Sequence, residues 1–255
     1  MSNVTDVFAG ESYGRNAAFW TKIIRERLDR YRTELTDRTV MAAVGDCTSQ
    51  RILDAGCGEG YLSRIIQSGG GQVVGIDACA ELIEAARSTA EHEERDIVYH
   101  HGSVNALPLE DETFDCVVCN HLVNDLPDPA PAFSEFGRVL KPGGKLVVLM
   151  LHPCFYPAPT GVETASEESV SDQYFEVRSF AQNFRVAGES SPAPVTVWMR
   201  PLESYLSSLT DANFSLAVMQ EPRPTPEQIA ADPWWRENFR RPTFLLLVAE
   251  RKPSR

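Results

Sequence analysis

The sequence predicts an α/β protein built on a doubly wound, mostly parallel sheet, and three observations predict it. Short apolar runs alternate with helix-like stretches from residue 51 onward, a glycine-rich turn follows the first run, and an acidic residue closes the second. The composition agrees, since 255 residues with 43% hydrophobic and 24% charged side chains suit an ordinary globular chain. A single large domain is expected, divided into a helical cap (1–46), a core (47–151), an insertion (152–197) and a return to the core (198–255).

Between Asn16 and Leu35, the residues Ala17, Trp20, Ile24, Leu28, Tyr31 and Leu35 recur at steps of three and four, which predicts one amphipathic helix as the cap. RILDAGCGEG, QVVGID, IVYHHG, FDCVVCN and KLVVLML then read as five strands. Helices between them carry Leu62, Ile65 and Ile66, then Leu82 and Ala86, then Phe133, Phe136 and Leu140; Gly69-Gly70-Gly71 ends the first and Lys141-Pro142-Gly143-Gly144 the third. From His152 the rhythm breaks into a polar stretch, TGVETASEESVSDQ, and two aromatic pieces, YFEVRSF and VTVWM, suited to pairing as strands. This insertion is expected to cover a site. Pro201 opens a short helix with Tyr205, Leu206 and Leu209, and FSLAVM and TFLLLVAE read as the last strands.

Asp plus Glu number 36 and Lys plus Arg 24, a net charge of −12 that repels phosphate backbones and anionic lipid surfaces, so neither nucleic acid nor membrane is expected as a partner. No apolar run approaches the roughly 18 to 20 residues that span a bilayer, and the opening MSNVTDVFAGESYG lacks the features of a secretion signal, which makes the cytoplasm the expected compartment. The six Cys are expected to be reduced thiols. Cys116 and Cys119 have the spacing of a metal or redox pair, but they lie in an extended strand with no second pair at ligand spacing, so core packing is expected and no metal.

Residues 51–60, RILDAGCGEG, carry a buried strand into a turn that opens a helix. Gly56 and Gly58 permit the turn and leave backbone bare for a ligand, while the helix start offers unpaired N–H donors. Dinucleotide-binding proteins place G-x-G-x-x-G here, but this chain reads G-x-G-x-G and puts Tyr61 where that pattern wants a small residue. Asp54 and Glu59 would repel a diphosphate and attract a cationic ligand. Asp77 ends the second strand 21 residues after Gly56, the distance at which a carboxylate reaches a ribose hydroxyl pair.

With these residues, and with GSVNALPLEDETFDCVVCNHLVNDLPD and RVLKPGGKLVVL, the chain resembles the class I S-adenosylmethionine-dependent methyltransferases to about residue 151 and more loosely beyond. The resemblance implies a seven-stranded sheet with its last strand antiparallel. It also implies cofactor roles: Asp54, Gly56, Gly58 and Gly60 for the methionine part, Asp77 for the ribose, Ala78 against adenine, and Asn120 near the methyl group. The family often has Gly-Asp where this chain has Gly102-Ser103, which leaves the Ser103 hydroxyl or the Val104 N–H for adenine, and Tyr13 would close over the cofactor.

Methyl transfer to a small-molecule acceptor, on O or N, is the implied activity, with S-adenosylhomocysteine as product; similar bacterial enzymes tailor natural products. S- or C-methylation, a non-catalytic S-adenosylmethionine-binding module and a nicotinamide oxidoreductase are the alternatives. Only His121 and His152 follow parallel strands on the edge where ligands bind, which makes them the candidate bases, His152 ahead of His121. Tyr174, Phe175, Phe180, Phe184 and Trp198 are candidates to wall an acceptor pocket or to seal the insertion's own small core, and Arg200 to hold an acceptor carboxylate.

Overall fold

The computed structural model describes residues 4–156 and 174–253. An N-terminal helix α1 (Val4–Arg25) is followed by a π-helical turn (Arg32–Thr36) and α2 (Asp37–Val44). Then come β1 (Arg51–Ala55), α3 (Tyr61–Ser68), β2 (Gln72–Asp77), α4 (Ala80–His92), β3 (Ile97–His101), β4 (Phe114–Asn120), α5 (Ala130–Val139) and β5 (Leu140–Leu151). The insertion supplies β6 (Arg178–Gln182), β7 (Arg185–Val186), β8 (Glu189–Ser190) and β9 (Val195–Met199). The chain closes with α6 (Leu202–Asp211), β10 (Phe214–Gln220), α7 (Pro226–Ala231), α8 (Pro233–Asn238) and β11 (Phe244–Arg251).

Seven strands form one sheet in the order β10-β11-β5-β4-β1-β2-β3. β11 runs antiparallel to β5 and β10, and the other pairings are parallel, so the sheet is the doubly wound one expected. Alternation sends Leu53, Val117 and Leu146 to one face, under Phe133 and Phe136 of α5 and Tyr205 of α6. Ile52, Val118 and Val147 face the other way, toward Val40 and Val44 of α2, Leu62 and Ile66 of α3, and Trp235. Cys116 and Cys119 are buried in these two cores, with their thiols held above the ordinary range by that burial.

The expected cap helix over residues 16–35 is broken. α1 stops where Arg27 takes a left-handed φ of 56°, and the Leu28 and Arg27 N–H groups turn back to the carbonyls of Ile23 and Ile24 at 2.9 and 3.1 Å. No glycine marks this stop, so the hydrophobic period ran through it. The Lys141–Gly144 turn, expected between the third helix and the strand KLVVLML, lies instead inside β5, where the β4 pairing shifts register.

α1 lies close on the start of α4 because Gly10 and Gly14 face it; a Cβ on Gly10 would stand 2.6 Å from the Ala78 carbonyl oxygen. β6 and β9 pair as an antiparallel ribbon, as YFEVRSF and VTVWM suggested, and the ribbon joins α1 through Asn16. The fully buried Asn16 amide donates to the Ala193 carbonyl at 3.0 Å and accepts from its N–H at 2.9 Å, while the Trp20 and Phe184 rings meet edge-on at 5.0 Å. The polar stretch 160–173 lies outside the described residues.

Candidate active site

The sheet brings the loops after β1, β2, β3 and β4 to one edge. Beneath α1 and the ribbon they enclose a cavity of about 400 Å³. Tyr13, Asp54, Gly56, Gly58, Asp77, Ala78, Ser103, Val104 and Asn120 all line it. Gly60 does not: its φ of 79° and the Tyr99 hydroxyl packed against it give it a structural place behind the turn.

The turn is fixed by backbone. Gly56 and Cys57 donate to the Ile76 carbonyl at 2.8 and 3.0 Å, and Gly58 donates to Asp77 Oδ2 at 2.9 Å. Asp77 Oδ1 accepts the Cys79 N–H at 2.8 Å, so one carboxylate ties the glycine turn to the start of α4. Burial raises the Asp77 carboxyl, and these N–H donors oppose the rise. Asp54 is 1% exposed and is pushed up to about 6 by burial, although the Ser63 hydroxyl donates to it at 2.6 Å. Glu59 corrects an expectation: Arg64 at 2.8 Å and Arg25 at 3.1 Å absorb its charge, so discrimination against a diphosphate rests on Asp54 and Asp77.

On the adenine side, Ser103 Oγ accepts the Asn105 N–H at 3.0 Å beside Ala78 and Val104. At the other end, Asn120 Oδ1 is buried without a hydrogen-bond partner among the described residues, an acceptor suited to an ammonium group. The residues therefore fit S-adenosylmethionine: bare backbone at Gly56 and Gly58, carboxylates at either end, and this orphaned oxygen.

His121 stands next to Asn120 in a left-handed conformation, φ 61°, with its N–H bonded to the Leu149 carbonyl at 2.8 Å. Its ring lies edge-on to Phe244 at 5.4 Å, lines the cavity, and takes no hydrogen bond from the described residues. Burial, helped by the charge of Arg32, drives the imidazole down to about 3, so it is neutral. Trp20, Tyr31, Tyr156, Phe184 and Phe244 line the same cavity and, with Ile24, give it a largely aromatic wall. Arg32, at the start of the π-helical turn, also lines the cavity; among the described residues its Nε has no hydrogen-bond partner, and it lies 3.9 Å from Asp29 Oδ2.

The other acceptor candidates lie elsewhere. His152 is 3% exposed and does not line the cavity; Nδ1 accepts the Cys154 N–H and Nε2 pairs with Glu221, each at 3.2 Å. The expectation of His152 as base is corrected, because both ring nitrogens are already used in holding the chain after β5. We expect His152→Ala to cost about 1–3 kcal/mol in denaturant unfolding and to leave turnover within about twofold. Arg200 is buried under Tyr205 and donates to the Leu126 and Pro127 carbonyls at 3.3 and 2.6 Å, so it braces the loop after β4 instead of holding an acceptor. Tyr174 accepts the Leu202 N–H, Trp198 is bound to the Asn124 backbone, and Phe175 is 78% exposed; none of the three lines the cavity.

Sequence reading missed Asp125, Arg32, Tyr31 and Tyr156, while Phe184, one of its aromatic candidates, does line the cavity. Asp125 carried a usable signal, since it lies five residues past Asn120 in the loop after β4, on the edge that holds the site. The aromatics come from the cap and the insertion, where no strand end fixes direction.

Residues 53–148 match a family model described as a methyltransferase domain. A "Ubiquinone biosynthesis O-methyltransferase" of Xanthomonas oryzae pv. oryzae is 30% identical over 166 residues, covering 65% of this chain and 66% of that protein. A protein of the same description from Coxiella burnetii is 34% identical over 97 residues, 38% of this chain and 42% of its own. Among solved structures, an S-adenosylmethionine dependent methyltransferase from Mesorhizobium loti superposes with a TM-score of 0.65 at 24% identity, covering 84% of this chain and 96% of its own. With the glycine turn, the paired carboxylates and the sheet order in place, residues 53–148 form a methyltransferase domain with the fold of the S-adenosylmethionine-dependent enzymes, and the chain spans just under two thirds of the length of the Xanthomonas relative.

Proposed function

We propose that this protein methylates a hydroxyl group on a small aromatic acceptor. The observation that carries this reading is His121, a neutral imidazole whose ring takes no hydrogen bond among the described residues, set next to Asn120 and against Phe244 in a cavity lined by aromatic rings. The similarity to O-methyltransferases of ubiquinone biosynthesis supports oxygen as the acceptor atom. When bound, S-adenosylmethionine supplies a methyl group already activated by its sulfonium charge.

The chain's own contribution is positional. Asp77 fixes the ribose, Asp54 and Asn120 receive the ammonium, and Arg32, one of the two arginines among the described residues that line the cavity, is suited to the carboxylate. Trp20, Tyr31 and Phe244 hold the acceptor ring so that its hydroxyl reaches His121 Nε2 or Nδ1. The imidazole accepts a hydrogen bond from the hydroxyl and takes the proton as the oxygen gains its methyl group. An oxygen acquiring a third bond is strongly acidic, so a weak base suffices. α1 and the ribbon exclude water.

The test is a thermal-shift comparison followed by a screen. S-adenosylmethionine should raise the melting temperature by several degrees and NAD should not, and phenols and catechols should release S-adenosylhomocysteine where amines and thiols do not. Stabilisation by NAD alone would overturn the cofactor assignment, and release only with amines or thiols would overturn the hydroxyl.

A further inference from the structure

Asp125 has no part in the scheme above. It lies in the loop beyond β4, and its half-buried carboxylate lines the same cavity as Asp54 and Asp77. Asp125 Oδ2 accepts the Tyr13 hydroxyl at 2.9 Å, so α1 reaches across the cavity mouth to hold it. No Lys or Arg forms an ion pair with it among the described residues. When it ionises, this carboxylate has only a hydroxyl for company and lacks a counterion among the described residues.

The covalent order of the cofactor says what the counterion is. Sulfur joins the ribose to the methionine chain, and Asp77 marks the ribose end while Asp54 and Asn120 mark the methionine end. Asp54, Asp77 and Asp125 all line the one cavity, so the three carboxylates face a common space. The sulfur must pass through that space.

We propose that Asp125 is a specificity-determining residue for the donor: its carboxylate, clasped by Tyr13, favours the sulfonium of S-adenosylmethionine over the neutral thioether of S-adenosylhomocysteine. This rests on the reading of the cavity as the cofactor site. Partial burial pushes the Asp125 carboxyl up to about 8, with the Tyr13 hydroxyl lowering it and Asp77 raising it further. Near neutral pH the empty site therefore holds a proton on Asp125. A sulfonium replaces that proton. Transfer of the methyl group removes the positive charge, the carboxylate takes a proton back, and the product loses a contact that the donor enjoyed. The device relieves product inhibition.

Calorimetry on the full chain tests it with three ligands: S-adenosylmethionine, S-adenosylhomocysteine, and the amino analogue in which an ammonium-bearing carbon replaces sulfur. Asp125→Asn keeps an acceptor for Tyr13 and removes the charge. It should weaken the two cationic ligands about tenfold and leave S-adenosylhomocysteine within about twofold. In the unaltered protein the preference for donor over product should rise about tenfold between pH 7 and 9, as Asp125 ionises, and donor binding at pH 7 should release a proton. The α-ammonium and Asp54 act on both ligands and cancel in this ratio. Tyr13→Phe is the second variant; losing the bond that lowers the Asp125 carboxyl should move the proton-release midpoint upward. Equal weakening of all three ligands, or a pH-independent preference, would overturn the proposal while leaving the cofactor site standing. Failure of the unaltered protein to bind donor and product alike would overturn both.

Discussion

Replacing Asp77 by Ala should weaken S-adenosylmethionine binding by about a hundredfold or more and also destabilise the empty protein. Two effects combine. Hydrogen bonds from ribose hydroxyls to a carboxylate are each worth roughly 1.5–3 kcal/mol, and a loss of about 2.7 kcal/mol already makes a hundredfold change in Kd. The same carboxylate also accepts the Gly58 and Cys79 N–H groups, at 2.9 and 2.8 Å, so its removal leaves two donors at the edge of the cavity without their acceptor. The glycine turn then loses its tie to α4. Calorimetry gives the affinity and denaturant unfolding gives the stability. Unchanged affinity in a folded variant would refute the ribose assignment.

Replacing His121 by Asn should lower kcat about a hundredfold while donor affinity stays within about twofold. Asn is chosen because the backbone here sits at φ 61°, a region that Asn tolerates better than Ala, so the loop after β4 keeps its path. What disappears is the nitrogen lone pair facing the acceptor. Because the imidazole is already neutral far below neutrality, it sets no acid limb near pH 6: kcat at saturating donor and acceptor should be flat from about pH 5 to 8. A variant with undiminished turnover would remove His121 from the chemistry. The contrast with His152→Ala, which should lose stability and keep turnover, separates a group that faces the acceptor from one that holds the chain.

The parallel strands, the glycine turn and Asp77 were legible because each is local. A run of apolar residues ending in Gly or Asp states both the strand and the edge of the sheet to which it delivers its loop. His121 and His152 show where this logic stops. Both follow strands at the ligand edge, yet β11 inserts beside β5 and its Thr243 carbonyl takes the His152 N–H at 2.8 Å, leaving the ring to Cys154 and Glu221 on the far side. Nothing near residue 152 announces the residue that will pair with it from 91 positions later. Glu59 was misjudged for the same reason, since one of its two arginines, Arg25, arrives from α1. The aromatic wall was least legible, because it is assembled from α1, the ribbon and β11, and only their packing decides which rings face inward.

The amide of Asn16 joins α1 to the ribbon by two hydrogen bonds with Ala193, in a place sealed from solvent. Two roofing pieces riveted this way cannot part without breaking both bonds in a place where water cannot replace them. Both small molecules then share one threshold, and the deeper berth, beside the glycine turn, has to fill first. Turnover should follow a compulsory order, donor in first and its demethylated remnant out last.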